Sequence, residues 1–204
     1  MDKDPIVETV KKEALKYYAS DSSGHDWLHA ERVYKICMKI SEKEGGDQQV
    51  LAAAALLHDV GVQYEFNEGI DHSEKSVEIA SEILNRIGFP LEKISMVLEA
   101  IGAHRFSKGI KAVSLESKIL QDADRLDSIG AIGVARAFSY GARRGVPMYS
   151  TEENTSSTVN HFYEKLFKIK DFFNTETAKR IAEKRHDFMK LFLSRFLSEV
   201  EGEE

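Results

Sequence analysis

His58 and Asp59 stand side by side at the end of an unbroken apolar run, Leu51-Ala-Ala-Ala-Ala-Leu-Leu57. An imidazole and a carboxylate delivered together into a protein interior are unfavourable to bury unless something pairs with them, and a divalent cation bound by a neutral His and an ionised Asp is an effective partner. Two other strings offer ligands of the same kind. In His25-Asp-Trp-Leu-His29-Ala-Glu-Arg-Val33, Asp26 is a candidate N-cap that sets His29 in the first turn of a helix, with Arg32 and Val33 one turn further on. In Ile119-Leu-Gln-Asp-Ala-Asp124-Arg-Leu-Asp127, three carboxylates crowd into an apolar helix. A single His-Asp pair is common by chance. The ordered series of a His, a His-Asp pair closing an apolar helix, and an Asp inside another is much harder to dismiss.

The series resembles the HD-domain metal-dependent phosphohydrolases, an all-helical superfamily whose ligands are a His, an adjacent His-Asp pair and a distant Asp. The strings HDWLHAERV, LLHDVG, AHRFS and QDADRLDSIGAIGVARAF are similar to the branch of small bacterial HD hydrolases that act on nucleotides. With NHFYEKL and NTETAKRIAEKRHDFM they span about residues 25–195. The resemblance implies an all-α fold, an HD-domain helical bundle around a buried divalent metal site, with His29, His58, Asp59 and Asp124 as ligands. Asp124 is preferred to Asp122 and Asp127 because Ala123-Asp124-Arg125-Leu126 matches the family's alanine-aspartate-basic-leucine pattern. Asp127, one helical turn on, would then steady Asp124.

The implied chemistry is hydrolysis of a phosphate ester or anhydride by a metal-activated water, with a (deoxy)nucleoside triphosphate cut to monophosphate and pyrophosphate as the leading case. A nucleoside monophosphate phosphatase, or another phosphomonoesterase or phosphodiesterase, is the alternative within the class; a non-catalytic metal- and nucleotide-binding regulatory module is the alternative outside it. Manganese is the first expectation among Mn, Mg, Fe, Co, Ni and Zn, since no thiolate singles out zinc. HD enzymes with two metals use additional histidines; His72 and His104 could supply two, but a further adjacent histidine pair is absent, so one ion is expected.

Within this scheme Asp59 both binds the metal and orients the attacking water, and His104 donates a proton or contacts phosphate. Arg105 beside it, and Arg143 with Arg144, are candidate anion contacts, because guanidinium groups bind phosphate oxygens in a bidentate manner. His72 opens a helix, where backbone N–H groups favour an anion, and is a further candidate substrate contact. In this branch the loop after the His-Asp pair often carries a lysine; here Tyr64-Glu65-Phe66 stands in its place.

The elements that must position these residues read as helices throughout. Periodicity and capping residues predict helices over residues 5–19, 26–44, 47–59, 71–86, 91–104 and 114–128, a small-residue segment over 129–138, and two long helices over 158–173 and 175–199. Gly61 is expected to end the third helix in a left-handed conformation, with a polar connection over 61–71. Residues 106–113 form a candidate pocket rim and 147–157 a loop. Phe188 and Leu191 are expected on a core stripe, with His161 and His186 at the surface.

One domain over residues 1–204 is expected, with a core over about 22–145 and a C-terminal helical part over about 158–199. The hydrophobic content of 42% and charged content of 30% are globular values. A net charge of −6 argues against duplex nucleic acid as the main partner. Between Gly102 and Val146, however, eight Lys or Arg face four acids, a local balance of +4 that suits a small charged anion such as a nucleotide. The single cysteine excludes an internal disulfide, and Cys37 shares a helical face with Val33, Ile36 and Ile40 as a small core hydrophobe. The start of the chain lacks the pattern of a secretion signal and no apolar run approaches the roughly 20 residues of a membrane span. A cytoplasmic monomer or homodimer is the expectation.

Overall fold

Short polar residues begin most of the elements. Asp4, Asp26, Asp47 and Asp71 each accept backbone N–H groups two or three residues ahead, and Ser157 and Thr175 do the same. The computed structural model describes residues 4–18, 25–105, 111–152 and 156–203. The helices are α1 (Pro5–Ala14), α2 (Trp27–Glu44), α3 (Gln48–Leu57), α4 (Val62–Glu68), α5 (His72–Arg86), α6 (Leu91–Ala103), α7 (Leu115–Asp127), α8 (Gly130–Arg143), α9 (Thr158–Glu164) and α10 (Glu176–Val200), with a 3₁₀ helix over Leu166–Phe172 before the last. No strand occurs among the described residues, and none of their helices is long and apolar enough to cross a membrane. The described residues group into two compact units, the first closing at Asp124 and the second opening at Arg125.

In the first unit, α3 is buried on every side from Val50 to Leu57 and is packed by α1, α2 and α6. Its four consecutive alanines let those helices approach closely, while Leu51, Leu56 and Leu57, all at 0% exposure, each contribute roughly 1.5–3 kcal/mol by burial. The start of α3 is pinned from two sides. The Glu116 carboxylate accepts the Asp47 N–H at 2.9 Å, and Lys93 Nζ lies 2.8 Å from Asp47 Oδ2. The other end of α3 therefore delivers His58 and Asp59 from a fixed origin.

Two expectations change beyond that end. Gly61 is not left-handed: its φ is −89° and it precedes α4, which occupies most of the stretch expected to be an open connection. The glycine is required for close approach instead. A Cβ there would lie 2.6 Å from the carbonyl oxygen of His72 and 2.7 Å from the N of Ser76, so the first turn of α5 rests directly on the backbone that follows Asp59. The buried face of α1 runs through Val7, Val10 and Ala14.

The second unit is built on α8, α9 and α10. Phe138, Phe162, Phe192 and Phe196 form its aromatic centre, with ring centroids 5.8–6.3 Å apart. The long helix expected over 158–173 is broken: Lys165, at φ −132° and ψ −57°, ends α9, and the chain continues as the 3₁₀ turn. On α10 the buried stripe runs through Ala178, Ala182, His186, Met189 and Leu193, leaving Phe188 and Leu191 at 43% and 69% exposure. His186, expected at the surface, is 5% exposed with its ring edge-on to Phe167. The small residues Ala178 and Ala182 set the phase, because they allow the closest packing.

Candidate metal centre and active site

The last turn of α3 fixes His58. Its Nδ1 donates to the Ala55 carbonyl at 2.8 Å, which leaves Nε2 as the lone-pair nitrogen. That nitrogen lies 3.2 Å from His29 Nε2 and 3.4 Å from Asp59 Oδ2. His29 is held in the first turn of α2, where Asp26 Oδ1 accepts its backbone N–H at 2.8 Å, and its Nε2 is 3.4 Å from both Asp59 Oδ2 and Asp124 Oδ1. Asp124 comes from α7, which is tied to the end of α6 by a 2.6 Å hydrogen bond from Gln121 Nε2 to the Ala103 carbonyl. Three separate stretches of the first unit thus bring His58, Asp59 and Asp124 within 3.2–3.4 Å of His29 Nε2.

The donor set fits a divalent ion. Ligand atoms about 2.0–2.3 Å from a common ion and 90–109° apart are separated by roughly 2.8–3.7 Å, which brackets the contacts observed. His29, His58 and Asp124 form one group able to hold a metal; His25, His29 and Asp59 form another; and His58, Asp59 and His104 a third. His29, His58 and Asp59 are at most 3% exposed, and such burial is tolerable for an acid among imidazoles when a cation completes the site.

Asp59 divides its two oxygens. Oδ2 faces His29, His58 and also His25, whose Nδ1 is 2.8 Å away. Oδ1 faces His104 Nε2 at 3.5 Å and His72 Nε2 at 3.7 Å. Burial alone would raise the Asp59 carboxyl, but the charges of His58 and His25 and the hydrogen bond from His104 hold it well below the usual range. The Asp124 carboxyl is likewise lowered against its burial by the hydrogen bond and charge of His29. Burial pulls His104 down, yet its contact with Asp59 outweighs this and raises it; its Nδ1 donates to the Ile101 carbonyl at 2.6 Å. His72 is lowered by burial in spite of Asp59 and Glu65.

Among the other expected residues, Arg105 reaches Glu65 Oε1 at 2.8 Å and the Asp71 carboxylate, so its guanidinium meets acids. Arg143 and Arg144 are exposed at the end of α8 in the second unit, Arg144 lying on its neighbour Tyr140. Asp127, expected beside Asp124, accepts from Arg136 through Oδ2 at 2.8 Å. Of the expected pocket rim, residues 106–110 lie outside the described residues. His25 was given no site role by the sequence, its only signal being its place four residues before His29. Glu65 was expected only as a carboxylate in the connection after the His-Asp pair, suited to a substrate contact or to orienting water; the structure sets it against His72 and Arg105. A cavity of about 430 Å³ also opens beside Val60, lined by Lys16, Tyr17, Gln63, Tyr64, Asn67 and Glu68.

Comparison with known proteins identifies the relatives of this chain. The HD domain family matches residues 27–129. The chain is 35% identical over 200 residues to YpgQ of Bacillus subtilis, covering 96% of this chain and 94% of that protein. An HD-superfamily hydrolase from Bacillus thuringiensis is similar in structure, with a TM-score of 0.79 at 39% identity over 96% of this chain and 97% of that one. The crystal structure of B. subtilis YpgQ in complex with ADP gives a TM-score of 0.76 at 34% identity, covering 95% and 96%.

Proposed function

The chain belongs to the HD-domain family of hydrolases, and from that membership we propose that it is a divalent-metal-dependent nucleotide phosphohydrolase cutting (deoxy)nucleoside triphosphates to monophosphate and pyrophosphate. The observation that carries this reading is the two-sided arrangement around Asp59, with metal-type donors on one oxygen and two further imidazoles on the other. A nucleotide ligand is supported by the ADP complex of YpgQ. In this reading His29, His58, Asp59 and Asp124 hold one ion, manganese being the first choice. When bound there, a divalent ion would supply an acidified water and neutralise phosphate charge.

The protein groups divide the remaining tasks. Asp59, deprotonated across the neutral range, keeps Oδ1 as an acceptor that orients the attacking water. His104, the imidazole raised by Asp59, is the proton donor or phosphate contact, and His72 lies beside it as a further substrate contact. Burial of these groups excludes bulk water and strengthens every charge interaction among them. We assign the nucleoside to the cavity beside Val60, where two tyrosines and two side-chain amides suit a flat ring with polar edges.

The test is product identification by mass spectrometry across deoxy- and ribonucleoside triphosphates and monophosphates with Mn²⁺, using wild type and His58→Ala. Monophosphate and pyrophosphate are expected from wild type and background turnover from the variant. Orthophosphate as sole inorganic product from triphosphates rejects the pyrophosphohydrolase assignment, and tight nucleotide binding without turnover favours a regulatory module.

A further inference from the structure

His72 is the first residue of α5, and its Nδ1 is hydrogen-bonded to Glu65 Oε2 on α4. The other oxygen of Glu65 accepts from Arg105 at 2.8 Å, and the other arm of that guanidinium reaches Asp71 Oδ2. Asp71 spends its second oxygen on the N-cap of α5, accepting from Ser73 N at 3.0 Å and Glu74 N at 3.1 Å. The links therefore close a ring: from the cap of α5 through Arg105 and Glu65 back to the first residue of α5. Each carboxylate in it uses both oxygens.

We infer that Glu65, Arg105 and Asp71 are positioning residues that fix the tautomer and aim of His72, so that its unprotonated Nε2 faces Asp59 Oδ1 and can accept a proton from water held between them. The chemistry is local. A carboxylate accepts only, so the imidazole nitrogen on it must carry the proton, which leaves the far nitrogen with a lone pair. Free imidazole favours neither outcome strongly enough to fix it, and an acceptor at one edge decides it. Arg105 holds the acceptor still: its two terminal nitrogens bridge Glu65 and Asp71, one charge-assisted hydrogen bond to each, which restricts the Glu65 carboxylate. The same residue follows His104 in the chain, so the ring starts beside the second imidazole on Asp59 Oδ1.

The tautomer can be read without metal or substrate. Long-range ¹H–¹⁵N spectra of the ¹⁵N-labelled, chelator-treated protein are expected to show His72 as the Nδ1–H form in wild type and in Glu65→Gln, whose amide oxygen still accepts. Glu65→Ala is expected to move it to the Nε2–H form or a mixture. An Nε2–H imidazole in wild type, or a spectrum unmoved by Glu65→Ala, overturns the inference. Its kinetic part rests on the proposed hydrolysis: Glu65→Ala should lower kcat about 10–100-fold, with Glu65→Gln recovering most of it. Arg105→Ala should fall between the two and add less than about twofold on top of Glu65→Ala, because both act through one imidazole. Full kcat in Glu65→Ala also overturns the inference. Should no nucleotide be hydrolysed, the spectra still decide the tautomer, so the two readings fail separately. Glu65 is partly exposed, and Arg105→Lys gives a second entry to the ring if Glu65→Ala does not fold.

Discussion

His29 Nε2 lies 3.2 Å from His58 Nε2, a separation at which two buried imidazole nitrogens can share one proton but not carry one each. Metal-free protein should therefore gain stability from any ion that takes both lone pairs. Differential scanning calorimetry of chelator-treated protein is expected to show a rise in Tm with Mn²⁺, equivalent to about 2.7 kcal/mol at a hundredfold excess over Kd. His58→Ala should abolish the rise. A Tm that no divalent ion moves would remove the metal site.

Asp124 and Asp127 sit one helical turn apart but meet different partners, His29 in one case and Arg136 in the other. Asp127→Asn should cost stability, about 1–3 kcal/mol, by weakening a nearly buried charged hydrogen bond. Metal affinity should stay unchanged. Asp124→Asn should instead weaken Mn²⁺ binding by calorimetry, in addition to any loss from its contact with His29. Equal effects of the two substitutions on metal affinity would remove the distinction drawn between these acids.

Gly61 has no room for a side chain. The substitution Gly61→Ala sets a methyl group against the backbone of His72 and Ser76, which must shift, at a cost of about 1–3 kcal/mol in urea unfolding. Turnover should fall further than stability explains, since the displaced turn carries His72. A variant with wild-type kcat would show that the closeness of these two backbones is irrelevant to the site.

Asp47 caps the helix that ends in the His-Asp pair. Burial raises its carboxyl, but the hydrogen bond from Lys93 and the N–H groups of Gln49 and Val50 outweigh this and lower it. A carboxyl lowered on folding stabilises above its unfolded pKa, near 3.8–3.9, and loses that contribution as pH falls through the folded value. The stability gap between wild type and Asp47→Asn, measured by urea unfolding, should thus be constant from pH 5 to 7 and shrink below about pH 4. Asp47→Ala should cost about 1 kcal/mol through the lost cap. A gap that widens on acidification contradicts the assignment.

Cys37 is fully buried on α2, and burial, with the charges of Asp124 and Asp122 added, pushes its thiol up. The thiolate is the reactive form, so the native protein should not react with a disulfide reagent at pH 8 and should react fully once unfolded in guanidinium. Rapid labelling of the native state would place the thiol at the surface.

The clustering of His29, His58, Asp59 and Asp124 was legible because imidazoles and carboxylates ending or lining apolar helices are costly to bury singly, and the structure sets the other three within 3.2–3.4 Å of His29 Nε2. The polar ring around His72 was not: His72 and Arg105 were expected to meet substrate, and no local pattern joins them to Glu65 and Asp71 across three elements. Gly61 shows a different limit. Helix termination and close backbone approach both demand glycine, and the sequence cannot tell which. The phase of α10 was misread because two overlapping stripes share its period, and the buried one contains alanines and a histidine. The break at Lys165 has no proline or glycine to announce it.

Between the end of α4 and the cap of α5 stand only Gly69, left-handed at φ +71°, and Ile70. These two residues are a spacer whose length must match the span from Glu65 to His72. An insertion or deletion there would leave every reactive group present yet misdirect one imidazole, so in this protein the length of a short bend is itself part of the chemistry.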